Sequence, residues 1–452
     1  MCGIICVLSR KGDRATPTHD DIFHQFLEAQ TLMEQASTDF TSAERAAEAL
    51  EAVNTLLKGD AGVRAMVGSP ELVDGVRAAL AKLAPQVEKY EAALEASQDA
   101  HLIENASHTV SAIKDALWSI SEDRLRTARE VSLLAGMHAS EESLHGYLSI
   151  QQALSAIDRM EVRGRDSAGI GVVVWGHGLP EDVVLGDPAL RNAFVPRHED
   201  ALFTSRSVRV EGDAWVFVYK AAAEIGELGD NTKTMRQHIL QDALLRRVVS
   251  AKNAQVSVIG HTRWASVGII SEPNAHPVTG EEVNKKQPLV LAVLNGDVDN
   301  YADLKVEHDI SVAASITTDA KVIPSLVARG LQVGQPLQQS FLNAVTQFDG
   351  SVAIAALSVD HPNSVMLALR GSGQGMCIGL AEDRFIVASE PYGTVEDTVN
   401  IVRMDGESLV SPDQPASRGQ VIQLSASNAG NIAGMERVSY DGSSLPVTGN
   451  DV

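Results

Sequence analysis

The chain has 452 residues, 44% of them hydrophobic, which is enough for a large core and, by length alone, for two or three domains. Its formal net charge of −22 at pH 7 argues against nucleic acid or an anionic membrane surface as the main partner. The three cysteines have neither an even count nor metal-type spacing, so neither a disulfide framework nor a zinc site is predicted. There is no leader-like segment and no run of about 18 apolar residues, so we expect a cytoplasmic protein.

The first predicted element is a buried strand over residues 3–9, and Cys2 stands directly before it. Removal of Met1 would give Cys2 a free α-amine beside its thiol. Such an amine has an ordinary pKa of about 7.7–8.0, so it can take the thiol proton near neutral pH. Cys2 is therefore a candidate nucleophile with its own base. Taken alone, this position also fits an ordinary cysteine of a first strand.

Helical periodicity dominates residues 19–136. An apolar stripe from Ile22 to Leu50 alternates steps of four and three, which predicts a helix that packs against another helix. A second helix is predicted to begin at Pro70, with Ser69 as its N-cap, and a third apolar stripe covers 106–120. Residues 11–140 are therefore predicted to form a small helical bundle.

The pattern changes at about residue 140. A helix over 144–160 leads into a strand that begins near Gly169, and a long helix is predicted over 231–252. Residues 176–205 have no clear pattern, and the turn-rich residues 426–452 are predicted to be a linker or C-terminal tail. Because helices and strands do not alternate strictly, we predict an α+β fold. Further strands are predicted over 256–259, 289–294, 352–357, 365–369, 384–388 and 420–424.

Four short motifs carry the candidate functional residues, at 163–170, 260–266, 294–297 and 317–323. Each has an ordinary explanation: a turn with a salt bridge, a strand end with a core Trp, an Asn-Gly turn, and an Asp near the start of a helix. Together, however, they supply the side chains that chemistry on a free amino acid requires. The motifs are therefore interpreted as one site.

The chemistry of amide cleavage assigns roles to four of these residues. A guanidinium holds an α-carboxylate well, which suits Arg263, and a carboxylate holds an α-ammonium, which suits Asp319. When a thiolate attacks an amide, the carbonyl oxygen gains negative charge and needs hydrogen-bond donors. The side-chain amide of Asn295 and the backbone N–H of Gly296 are suitable donors, and glycine allows a close approach.

In this order, the runs Cys-Gly-Ile, Arg-Gly-x-Asp-Ser-Ala-Gly, His-Thr-Arg-Trp-Ala, Asn-Gly and Thr-Asp resemble the class II (N-terminal nucleophile) glutamine amidotransferases. The likeness is greatest to the glutaminase domain of the fructose-6-phosphate amidotransferases. It implies a four-layer αββα sandwich formed by residues 1–10 and 141–425. Residues 11–140 would then be a large all-α insertion, with a structural or oligomerisation role favoured over a regulatory lid.

The resemblance also implies the roles of the site residues. Cys2 would be nucleophile and base, and Asn295 and Gly296 would form the oxyanion hole. Arg263 would hold the α-carboxylate of L-glutamine and Asp319 its α-ammonium. The pocket would also be lined by Trp264, Ala265 and Ser266.

Ammonia would pass to a sugar isomerase domain or subunit that uses fructose 6-phosphate. The resemblance implies no cofactor and no metal, and we expect a homo-oligomer.

The chain departs from the family pattern at several positions. Val267 and Leu294 replace family histidines, and Lys321 replaces a family glutamate. The residues after 425 are too few for an isomerase domain, so we expect either an excised glutaminase portion, which we favour, or a subunit that serves a separate synthase.

Two other interpretations of the chain remain open. One is a non-catalytic scaffold that binds a partner through the helical insertion. The other is a glutaminase for a different acceptor, of the amidophosphoribosyltransferase or asparagine synthetase type. The sequence run His-Thr-Arg-Trp favours the fructose-6-phosphate type over these two other types.

Overall fold

A computed structural model describes residues 2–36, 40–96, 100–222, 227–409 and 417–452. The chain divides into two compact units. One comprises residues 1–11 and 145–452, and the other, residues 12–144, is inserted in its sequence. Within the described part of the chain, no helix is long and apolar enough to cross a membrane.

The larger unit contains two antiparallel sheets. Among the described residues, the first sheet has eight strands. They are, in spatial order, β12 (Ile401–Arg403), β10 (Cys377–Leu380), β11 (Arg384–Ala388), β1 (Gly3–Ser9), β5 (Gln255–Arg263), β2 (Ser167–Trp175), β4 (Ala214–Ala222) and β3 (Val208–Glu211). The second sheet has six described strands, in the order β14 (Met435–Ser439), β13 (Gln420–Ser425), β9 (Ser364–Arg370), β8 (Val352–Ser358), β7 (Val290–Gly296) and β6 (Val278–Thr279).

The core between the sheets is built from alternate residues of each strand, because successive side chains of a strand point to opposite faces. Ile4 of β1 and Val293 of β7 belong to this core. Two residues further along each row, toward the same end of the sandwich, stand Cys2 and Asn295. In β5 the corresponding row includes His261. The apolar rows thus end in polar side chains, and these ends position the candidate site.

Helices cover the outer faces of both sheets. α7 (Glu141–Met160), α10 (Asp230–Leu240) and α11 (Ala243–Val249) lie on the first sheet. α13 (Val322–Gln332) and α14 (Leu337–Val345) share a core with the outer face of the second sheet. The predicted α+β class and the four-layer αββα sandwich with a helical insertion are therefore confirmed.

Two local predictions for the larger unit are wrong. The single helix predicted over 231–252 is two helices, because the Asp242 carboxylate accepts the N–H groups of Leu244 and Leu245 and caps a new helix there. The predicted C-terminal tail contains β14, which pairs with β13, and Tyr440 is buried beside it. The stretch without a clear sequence pattern contains α8 (Glu181–Gly186) and α9 (Pro188–His198), and α12 (Tyr301–Glu307) follows β7.

The inserted unit is helical throughout its described elements, and one core joins them. The single helix predicted over Ile22–Leu50 is wrong, because α1 ends at Gln35 and α2 begins at Phe40. α4 begins at Pro70 as predicted, although the Ser69 side chain makes no cap hydrogen bond. The helices are α1 (His19–Gln35), α2 (Phe40–Leu57), α3 (Gly59–Met66), α4 (Pro70–Glu95), α5 (Ala100–Trp118) and α6 (Leu125–Ala135).

Candidate active site

Cys2 lies at the end of the sandwich where β1 and β5 run side by side. Gly3 pairs with Thr262, so Cys2 reaches the backbone of Trp264. The Trp264 N–H donates to the Cys2 Sγ at 3.2 Å, and the thiol donates to the Trp264 carbonyl at 3.4 Å. Burial raises the pKa of the Cys2 thiol, and the Trp264 backbone hydrogen bond opposes this in part. The thiol is therefore protonated near neutral pH and needs a base before it can attack.

Asn295 connects the second sheet to the nucleophile. Its Nδ2 donates to the backbone carbonyl of Cys2 at 3.0 Å, and its Oδ1 lies 3.0 Å from Nε2 of His261. Asn295 is 2% exposed, so both ends of its amide are held inside the protein. This arrangement places an amide donor beside Cys2, as an oxyanion hole requires.

Gly296 follows Asn295 in a conformation that only glycine adopts without strain. Its φ is +89°, and a Cβ atom would lie 2.0 Å from the Ser351 carbonyl oxygen. Directly after the Asn295 donor, the backbone at the end of β7 therefore packs tightly against the backbone of Ser351, which precedes β8.

Replacement of Gly296 by alanine should destabilise the protein by about 2–4 kcal/mol, because left-handed backbone strain adds to a collision with a fixed carbonyl. Gly334 provides a matched control, since its φ is +84° but a Cβ atom there would have nothing within 4 Å. Gly334→Ala should cost only about 1 kcal/mol. Thermal melting of both variants checks this, and equal losses would show that the Ser351 contact is unimportant.

Arg263 and Asp319 both lie in the interior near Cys2. The Arg263 guanidinium donates to the carbonyls of Val267 and Ile269. Burial lowers the pKa of Arg263, and electrostatic interactions with Cys2 and Asp319 oppose this shift. The Asp319 carboxylate accepts the Val298 N–H at 2.8 Å, and burial raises the pKa of this carboxyl. A cation that interacts electrostatically with Cys2 and a carboxylate that interacts with this cation are therefore both available near the nucleophile.

The loop of residues 264–270 connects these groups. Trp264 contacts Cys2 through its backbone, whereas its side chain is 60% exposed. The Ala265 N–H donates to the Asp166 carboxylate at 2.8 Å, and the Ser266 hydroxyl donates to Asp297 at 2.6 Å. The loop is thus tied to the first motif by Asp166 and to the third motif by Asp297.

The structure brings all four motifs to one end of the sandwich. Asp166, Asp297 and His261 stand within the motifs, but the sequence alone assigned them no role. Their position within the motifs was the available signal. Val267, which replaces a family histidine, contributes its carbonyl to Arg263. The Leu294 side chain lies in the core, and its N–H donates to Nδ1 of His276 at 3.3 Å.

Comparison with curated sequences found relatives named glutamine–fructose-6-phosphate aminotransferase (isomerizing). The chain is 30% identical over 210 residues to the glutamine–fructose-6-phosphate aminotransferase (isomerizing) of Geobacillus kaustophilus. The aligned residues cover 46% of this chain and 31% of that enzyme. It is 26% identical over 269 residues to the enzyme of the same name from Shouchella clausii. Here the aligned residues cover 59% of this chain and 34% of that enzyme. The chain thus spans about a third of the length of the curated relatives it matches.

Among solved structures, the glutamine phosphoribosylpyrophosphate amidotransferase of Bacillus subtilis is similar to 60% of this chain and 49% of its own, with 18% identity and a TM-score of 0.35. No protein-family model matches the chain. The similarity to the curated enzymes nevertheless indicates which kind of domain the chain contains. This chain contains a glutamine amidotransferase domain of class II, the N-terminal nucleophile type.

Proposed function

We propose that this chain hydrolyses L-glutamine to glutamate and ammonia through a thioester on Cys2, after removal of Met1. The observation that carries the proposal is that the Asn295 amide donates to the backbone carbonyl of Cys2, whose thiol is close enough to Arg263 to interact with it electrostatically. We further propose that residues 1–10 and 141–425, together with β14, form the glutaminase domain.

The reaction follows from the groups at the site. The α-amine of Cys2 takes the thiol proton, and the sulfur attacks the side-chain amide carbon of glutamine. The oxyanion accepts hydrogen bonds from the Asn295 amide and the Gly296 N–H. The protonated α-amine then gives its proton to the departing nitrogen, so that ammonia leaves and a thioester remains. Water attacks this thioester, and the same amine again serves as base.

Substrate binding assigns the remaining groups. The α-carboxylate of glutamine would replace the Val267 and Ile269 carbonyls on the Arg263 guanidinium. Asp319 would hold the α-ammonium, and its Val298 hydrogen bond fixes the carboxylate for this task. The loop containing Trp264, Ala265 and Ser266 would cover the bound amino acid.

A glutamine analogue that alkylates its own nucleophile tests the proposal directly. Protein whose intact mass shows loss of Met1 should gain one adduct from 6-diazo-5-oxo-norleucine, and peptide mapping should place it on Cys2. Excess glutamine should protect against labelling. An adduct on Cys6 or Cys377, or no adduct on processed protein, would contradict the proposal.

The acceptor of the ammonia is proposed from the names of the relatives. An isomerase domain or subunit would use the ammonia and fructose 6-phosphate to make glucosamine 6-phosphate. We also propose a cytoplasmic location and a homo-oligomer. Formation of glucosamine 6-phosphate from glutamine and fructose 6-phosphate, when an isomerase is added to this chain, would test this acceptor. The scaffold interpretation has no specific observation in its favour.

A further inference from the structure

His261 is a polar residue at the edge of the apolar core between the two sheets. It lies on β5 two residues after Ile259, which faces the space between the sheets. Its side chain is completely buried. A buried imidazole costs free energy unless a hydrogen bond compensates for the lost water. The hydrogen bond between this ring and Asn295 should therefore help to explain why a histidine stands here.

The hydrogen bond determines which nitrogen of His261 carries the proton. The Cys2 carbonyl can only accept, so the Asn295 atom that faces it at 3.0 Å is the Nδ2 donor. The Asn295 atom that faces His261 is then Oδ1, which can only accept. Nε2 of His261 must therefore carry the hydrogen. Nδ1 has no hydrogen-bond partner among the described residues, which agrees with this tautomer.

The surroundings keep the ring neutral. Burial lowers the pKa of His261 to about 3, although the hydrogen bond to Asn295 and an interaction with the Leu294 backbone oppose the shift. Arg263 acts in the same direction as burial, and the His276 ring lies 4.4 Å away, centroid to centroid. The ring is therefore neutral near pH 7, with Nε2–H as its donor.

We propose that His261 is a positioning residue, whose Nε2–H holds the Asn295 amide so that a hydrogen of Nδ2 points at the reacting carbonyl of the substrate. The inference rests on the proposed glutaminase activity. One Nδ2 hydrogen is already used by the Cys2 carbonyl, so the second is the one left for the oxyanion. Donation to Oδ1 restrains the amide and also polarises it, which strengthens the Nδ2 donor.

Two substitutions separate positioning from simple packing. His261→Leu removes the donor and should lower kcat for glutamine about 10- to 50-fold, with KM changed less than about threefold. His261→Gln places an amide nitrogen near the position of Nε2 and should recover kcat to within about threefold of the unsubstituted protein. Equal losses in both variants, or a change confined to KM, would overturn the inference.

Alkylation of Cys2 by iodoacetamide is the internal control, because this reaction forms no oxyanion. Its rate should be the same in the unsubstituted protein and in both variants. A slower alkylation would mean that the substitution disturbs the nucleophile itself, which would also overturn the inference.

Nitrogen NMR of the imidazole rings tests the hydrogen bond without any turnover. The signal lost in His261→Gln should show a proton on Nε2 and a bare Nδ1, with no titration between pH 5 and 9. A proton on Nδ1, or titration near pH 6.5, would overturn the inference even if His261→Leu failed to fold. Absence of glutamine hydrolysis by processed, unsubstituted protein would instead contradict the proposed function, so the two failures are distinguishable.

Discussion

Replacement of Cys2 by alanine should lower glutamine hydrolysis by at least about 10⁴-fold, because no other group at the site can form the thioester. The expected loss is in kcat, while glutamine binding through Arg263 and Asp319 should persist. Ammonia release by processed protein, followed with a coupled assay, measures the first effect. Protection by glutamine against thermal unfolding measures the second.

Cys6 offers a matched control in β1, the strand that directly follows Cys2. It lies further along the same row, and it is 1% exposed in the core between the sheets. Burial alone raises the pKa of its thiol far above the usual range, so it is unreactive. Cys6→Ala should lose some stability through the small cavity but should keep its kcat. Residual turnover in Cys2→Ala comparable to that of Cys6→Ala would exclude Cys2 as the nucleophile.

The parts of the fold that follow from local pattern could be predicted from sequence. β1, β5 and β7 are short apolar runs that end at polar motifs, and the motif chemistry already related Arg263 to Asn295. The position of Cys2 relative to them depends on strand order, in which β1 lies between β11 and β5. That order joins residues more than 250 positions apart, so no local pattern could show it.

Other features depend on single contacts that sequence does not reveal. Asp242 ends one helix and begins the next because its carboxylate caps two N–H groups and also binds Arg197. β14 has the sequence of a tail because it is a short edge strand with few buried side chains. His261 resembles an ordinary core residue, and only the geometry of Asn295 and the Cys2 carbonyl indicates its role.

Arg263→Gln should lower kcat/KM for glutamine by about 10²- to 10³-fold, mainly through KM. Arg263 is 3% exposed, and a buried guanidinium can hold a carboxylate with two parallel hydrogen bonds. Loss of one partner of such a pair costs about 2–5 kcal/mol. Arg263→Lys keeps the charge but not the planar fork, so it should recover only part of the loss. Steady-state kinetics of the three proteins measures these effects.

A substrate that lacks the α-carboxylate separates binding from damage to the loop. The unsubstituted protein should process the α-amide of glutamine about 10²- to 10³-fold less efficiently than glutamine, whereas Arg263→Gln should scarcely distinguish the two. The Cys2 alkylation rate should change little, because the guanidinium hydrogen-bonds the loop carbonyls of Val267 and Ile269 and acts on the sulfur only through its charge. If Arg263→Gln still preferred glutamine by the original factor, the carboxylate would bind elsewhere, and the arginine would serve only to hold the loop.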